Sequence, residues 1–227
     1  VDGGGGLGIW LVEEASQLDA VIARLLDTMN YGGRGFTGFI VESWLAGDEY
    51  SLQGVVENGH AVALTCCQKV IEQHTEADGC ISFYESGHVA MAAQQLPAAF
   101  TSLMSFCCET FGYRRGAFHI DFIMVNGEPH FLEMGFRLSG MGVVNLVEEV
   151  TGINWAEVAF QVEAGRGLPE LHFASPSQAV GRLRLRQRLQ YDAAERWIAE
   201  HQRGQLLPPL NLPALEVSPR SSLYADL

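Results

Sequence analysis

Apolar and polar residues alternate with period two over residues 118–134, a pattern that predicts two strands of one hairpin. Phe118, Ile120, Phe122 and Met124 share one face of the first strand, and Leu132 and Met134 share one face of the second. Successive strand side chains point to opposite faces, so these sets mark the buried side. Asn126-Gly127 lies between them and is a turn signal. A two-residue turn would pair Val125 with Glu128 and put Asp121 and Glu133 on opposite faces. A three-residue loop with a bulge shifts the register by one and stacks the apolar sets. The alternation favours the odd loop. It leaves His119, Asp121, Phe131 and Glu133 on the other face, joined by Gly135 and Arg137 if the strand continues.

Other periodicities fill in the chain. Residues 9–12 read as a short strand, and residues 16–29 as a helix with Leu18, Val21, Ile22, Leu25 and Leu26 on one side. A glycine-rich turn over 31–35 precedes a strand at 39–41. Residues 50–56 and 61–71 read as paired strands around Asn58-Gly59, and residues 72–95 as irregular. Pro97 suits a first helical turn, and residues 98–111 follow with Phe100, Leu103, Met104, Cys107 and Phe111 on one stripe. Two helices, 143–150 and 154–164, are broken at Gly152. Residues 178–189 alternate leucine with arginine, a half-buried strand with Arg182, Arg184, Arg186 and Arg188 exposed. A helix over 192–203 has Asp192 as N-cap and Gly204 as stop, and residues 208–219 read as loop. Strands and helices mix without strict alternation, so the class is α+β.

Composition narrows the setting. The 227 residues can bury a core in one domain or two small lobes, and 48% apolar with 18% charged residues is ordinary for a globular chain. No apolar run approaches the roughly 18 residues of a membrane span, and no signal peptide is evident. The expected location is the cytoplasm. A net charge of −13 argues against nucleic acid or an anionic membrane as partner. Cys66, Cys67, Cys80, Cys107 and Cys108 lack C-x-x-C or zinc spacing, so they read as small buried residues in a reducing compartment. The chain opens Val1-Asp2-Gly3 without methionine and reads as a portion of something longer.

Candidate chemistry gathers around the hairpin. Two close carboxylates repel unless a cation or proton lies between them. Magnesium bound by Asp121 and Glu133 plus phosphate oxygens would resolve this, with Arg137 alongside. The run Gly3 to Gly8 matches G-x-G-x-x-G, but a strand follows it instead of preceding it, which excludes a Rossmann turn. A glycine loop between strands offers backbone N–H groups to phosphates; a frayed tip is the alternative. Glu42-Ser43-Trp44-Leu45 could present backbone groups and a carboxylate to an adenine edge, and Glu49 could accept from ribose; two solvated acids are the alternative. Lys69, in an apolar strand, is either at an exposed edge or on a phosphate. His119 either orients Asp121 or packs.

Taken in order, these pieces resemble the ATP-grasp superfamily over about residues 1–165. Gln68-Lys69-Val70 and residues 118–137 are similar to biotin carboxylase, and Arg137-Leu138-Ser139-Gly140 is similar to ligases joining carboxylates to amines, such as L-amino acid ligases. The resemblance implies an α+β ATP-grasp fold of two lobes clasping a nucleotide, lacking the N-terminal pre-ATP-grasp domain. It implies a partial small lobe over 1–47, a large lobe over 48–165 and a C-terminal extension over 166–227. Gly3, Gly4, Gly5 and Gly6 would close over the triphosphate. Glu42, Ser43, Trp44 and Leu45 would hold adenine beside Ile123 and Leu132, and Glu49 would hold ribose. Lys69 would contact phosphate, and Asp121 and Glu133 would hold magnesium or manganese. Arg137 would stabilise the transferring phosphoryl, with Ser139 and Gly140 bordering the acceptor. Relatives often carry asparagine two residues after the second acid, where this chain has Gly135. The implied activity is ATP-dependent ligation of a small carboxylate to an amine, amino acids in the first instance, through an acyl phosphate. Carboxylation and a non-catalytic nucleotide-binding fragment are the alternatives, and the resemblance allows a homodimer.

Overall fold

The computed structural model describes residues 4–174, 179–185, 188–202 and 204. The chain divides into two compact units, Val1–Arg182 and Leu183–Leu227. The first is built on one antiparallel sheet. Its strands are β1 (Trp10–Leu11), β2 (Asp48–Glu57), β3 (His60–Thr75), β4 (Ile81–Ala92), β5 (Arg115–Val125), β6 (Glu128–Gly135) and β7 (Val180–Leu183). They run in the order β1-β4-β3-β2-β5-β6, with β7 also on β4. The helices are α1 (Leu18–Asp27), α2 (Ala98–Thr110), α3 (Val143–Thr151), α4 (Trp155–Glu163) and α5 (Arg188–His201). In the second unit α5 carries an i,i+4 pair, Arg188 to Asp192 at 2.8 Å. The described helix starts at Arg188, four residues before the N-cap expected at Asp192.

One face of the sheet carries an apolar core. Leu52, Val56, Cys66, Phe118, Ile120 and Phe122 meet Phe100, Leu103, Met104, Cys107 and Cys108 of α2. The other face is divided. At one end Val55, Leu64, Cys67, Ala90 and Ala117 pack under α3 and α4. Trp155 locks α4 down: its indole N–H donates to the Gly54 carbonyl at 3.0 Å, at the register shift of β2 against β3. Asn154 caps α4 by accepting from the Glu157 amide at 3.0 Å. At the other end the same face turns polar, with Ser51, Gln53, His88, His119 and Asp121 all buried. The five cysteines are free and buried, as expected, and burial, with Asp121 and Glu85 adding, pushes the Cys67 thiol up to about 12.

Several expectations change. The β5–β6 turn is the two-residue kind, with Val125 opposite Glu128 and positive φ at Asn126 and Gly127. The shift sits further in, where Leu132 bulges between Phe131 opposite Phe122 and Glu133 opposite Asp121. Asp121 and Glu133 are therefore partners, as expected, but by a strand bulge instead of a longer loop. Phe131 moves to the α2 side, against Phe111 at a centroid distance of 5.8 Å, and both rings stay partly exposed. Residues 72–95 are not irregular, since β3 runs to Thr75 and β4 fills 81–92. Buried Ser82, Glu85, Ser86 and His88 broke the apolar pattern there. Residues 39–41 form no strand. Ile40 and Val41 are exposed and find no ladder partner among the described residues. Within 178–189 the described residues hold the short β7 and the start of α5, and the alternation of β7 is inverted: Leu183 is exposed while Arg182 is half-buried against Gly142. Arg186 and residues 208–219 lie outside the described residues.

Candidate functional site

The polar end of the divided face is assembled from four strands. Tyr50 pairs with Gln68 and Ser51 with Asp121, which brings Glu49, Lys69 and Asp121 to one place. The Lys69 ammonium lies 2.6 Å from Glu49 and 2.5 Å from Asp121. Glu85 of β4 stands 3.5 Å away on the same ammonium. The lysine side chain is only 8% exposed, so this is an interior cluster and not a solvated edge. Burial alone would lower the lysine pKa, but the charges of Asp121, Glu49 and Glu85 outweigh it and hold the group above its ordinary value. The other oxygen of Asp121 accepts from Ser51 Oγ at 2.6 Å, and Ser51 Oγ accepts in turn from Gln53 at 2.9 Å. His88 pairs with Lys69 across β3–β4 and lies 3.5 Å from Glu85.

Three carboxylates thus share one ammonium, and Glu133 stands exposed beside Asp121 on β6. This surplus of acid suits a cation. Among the described residues no three His, Cys, Asp or Glu side chains gather tightly enough to hold a metal alone. The arrangement fits a magnesium ion that takes one or two carboxylates and completes its shell with phosphate oxygens and water. The side-chain oxygen of Gln53 is buried without a partner among the described residues, an acceptor left for a ligand or water.

The glycine loop lies against this cluster. The Gly5 carbonyl accepts from the Glu85 amide at 3.2 Å, and the Gly4 carbonyl accepts from the Tyr31 hydroxyl at 3.0 Å. At Gly6, with φ +90°, a Cβ would stand 2.2 Å from the Phe83 carbonyl, so only glycine allows the loop this close to β4. Gly3 lies outside the described residues. Trp44 stacks on Phe83 at 5.2 Å, with Leu45 half-buried next to it, while Glu42 and Ser43 are exposed. Gly47 presses on the end of β5, where a Cβ would meet the Met124 carbonyl and the Ile123 side chain. The segment 42–47 and Ile123 therefore adjoin. Leu132 sits in the bulge, 41% exposed.

Other expected residues are not drawn into the cluster. Arg137 is exposed, donates to the Leu138 carbonyl at 2.8 Å and forms no ion pair among the described residues. Ser139 and Gly140 follow in the loop that leads to α3. Glu85, His88, Ser51 and Gln53 were missed. Ser51 and Gln53 lay two and four positions from Glu49 in a recognised strand, a period-two signal that could have found them. Among the described residues no helix is long and apolar enough to cross a membrane.

Comparison with known proteins gives the family and the fold. The model of the ATP-grasp domain matches residues 1–141. Dapdiamide A synthase from Enterobacter agglomerans is 24% identical over 148 residues, which is 64% of this chain and 33% of that protein. The crystal structure of an L-amino acid ligase from Bacillus licheniformis superposes with a TM-score of 0.56 at 22% identity, covering 75% of this chain and 40% of that one. The chain spans about a third of the length of the curated relative it matches. With the matched segment covering well over half of its residues, the chain belongs to the ATP-grasp family.

Proposed function

We propose that the full-length protein is an ATP-dependent ligase joining a small carboxylate, an amino acid in the first instance, to an amine. The observation that carries this reading is Lys69 held among Glu49, Glu85 and Asp121, with Asp121 opposite Glu133 and the glycine loop on Glu85. The names of the two relatives, a synthase of dapdiamide A and an L-amino acid ligase, point the same way.

The proposed chemistry has two steps. A carboxylate oxygen of the first substrate attacks the γ-phosphorus of ATP, the bond to ADP breaks, and an acyl phosphate forms. The amine nitrogen of the second substrate then attacks the acyl carbon, phosphate leaves, and the amine proton passes to solvent. Magnesium, when bound, neutralises charge on the phosphates. Asp121 and Glu133 would hold it. Lys69 would turn part of its charge to phosphate, while Glu49 faces ribose and Trp44, Leu45, Ile123 and Leu132 border the base. Gly4, Gly5 and Gly6 would cover the phosphates with backbone N–H groups. Arg137 would meet the transferring phosphoryl, and Ser139 and Gly140 the acceptor. The protein's contribution is positioning and electrostatics. Within this reading residues 1–47 form part of the small lobe and 48–165 the large lobe, and 166–227 extend it.

The test is product analysis with MgATP and pairs of amino acids. ADP and phosphate, released only when the amine is present, are the expected products. AMP and pyrophosphate would sink the proposal. Release driven by bicarbonate would point to a carboxylase, and MgATP binding without turnover to a non-catalytic domain.

A further inference from the structure

Gly135 stands between Glu133 and Arg137, where relatives in the family often carry a side chain that serves the metal. Across the β5–β6 ladder its partner is His119. A Cβ built on Gly135 would lie 2.1 Å from Cε1, 2.7 Å from Nε2 and 2.8 Å from Nδ1 of the His119 ring. The φ of Gly135 is not in the left-handed region, so nothing in the backbone demands glycine there. The demand comes from the imidazole, whose Cε1 edge takes the space a Cβ would fill. The ring is itself almost fully buried, at 4% exposure.

His119 also reaches the arginine. Its Nδ1 lies 3.3 Å from the Arg137 carbonyl. A carbonyl only accepts, so in this contact Nδ1 is the donor. Arg137 lies two residues past the end of β6, with an exposed side chain whose own bond goes to the neighbouring Leu138 carbonyl. The bond from His119 ties its backbone to the sheet.

We propose that His119 is a positioning residue for Arg137, and that Gly135 is the seat of its ring and not a lost metal ligand. The role given to Arg137 rests on the ligase reading; the matched pair of ring and glycine does not. A residue larger than glycine at 135 displaces the imidazole, releases the Arg137 carbonyl and lets the guanidinium wander. A misplacement of about 1 Å costs on the order of 10²-fold in rate.

The experiment compares the full-length wild type with His119→Ala, Gly135→Ala and the double variant. Each single change is expected to lower kcat for amine-dependent ADP release on the order of 10²-fold, with KM for MgATP within about twofold. The double variant should be no slower than either single, because without the ring a methyl at 135 has room. His119→Asn, whose amide still donates, should recover part of the loss. Losses that multiply in the double variant, or a Gly135→Ala enzyme with unchanged kcat, would overturn the proposal. If the wild type releases no ADP with any acid and amine, the ligase reading fails, and nitrogen-15 spectra of the imidazole decide this one. A proton on Nδ1 in the wild type that is lost in Gly135→Ala supports it. A proton on Nε2, indifferent to Gly135→Ala, overturns it.

Discussion

The two faces of β5 differ by one residue of register and by everything in their chemistry. Phe118, Ile120 and Phe122 point to α2 and are completely buried among apolar neighbours. His119 and Asp121 point the other way, almost as deeply buried, among Ser51, Gln53 and Lys69. Burial alone does not separate core from site. What separates them is the requirement each sets: apolar groups need only volume, whereas every buried polar atom needs a partner. The polar side meets it, the Gln53 oxygen excepted, with a chain running from Gln53 through Ser51 and Asp121 to Lys69, and from Lys69 to Glu49 and Glu85.

The contrast is sharpest at Phe118 and Lys69. Phe118→Ala opens a cavity against Gly54 and α2 and is expected to cost about 3–5 kcal/mol by denaturant unfolding, with the residual folded fraction binding MgATP normally. Lys69→Met keeps the volume but leaves three carboxylates without their cation. It is expected to cost about 3–5 kcal/mol as well, and here MgATP binding fails too. If Lys69→Met were neutral in stability, the cluster would not be the interior ion network described above.

The pH response separates these two losses. The pKa of Lys69 is raised in the folded protein. Its contribution is therefore complete below the unfolded value of 10.5 and falls as pH rises through the folded one. The stability gap between wild type and Lys69→Met should stay level from about pH 6 to 9 and narrow only in alkali, whereas the Phe118→Ala gap should not change with pH. A smaller effect is expected at Ser51. Ser51→Ala removes one hydrogen bond to a carboxylate, about 1.5–3 kcal/mol, and frees Asp121 to shift. Retained stability together with unchanged nucleotide affinity would mean that the Ser51 link orients nothing.

The same contrast explains what could be read from the sequence. Period-two alternation found β5, β6, β2 and the first part of β3, and it paired Asp121 with Glu133, because there apolar residues mark one face and acids the other. It misplaced the source of the register, since a bulge at Leu132 and an odd loop leave the same residues opposite. It missed β4, where Ser82, Glu85, Ser86 and His88 looked like surface and are buried, Glu85 and His88 within the site. It inverted β7, where Arg182 goes inward against Gly142 and Leu183 goes out. The failures at β4 and β7 come from reading polar as exposed, the equation that a functional interior breaks. The ATP-grasp fold itself was legible because its motifs come in order along the chain.

Glu133 offers the most direct test, because it is exposed and, among the described residues, belongs to no hydrogen-bond chain that holds the fold. Calorimetric titration of the full-length protein with MgATP should show binding in the wild type. In Glu133→Gln it should be at least about tenfold weaker, a 1.4 kcal/mol difference in binding, at an unchanged melting temperature. Equal affinity in the two proteins would contradict the placement of the metal and nucleotide on this face.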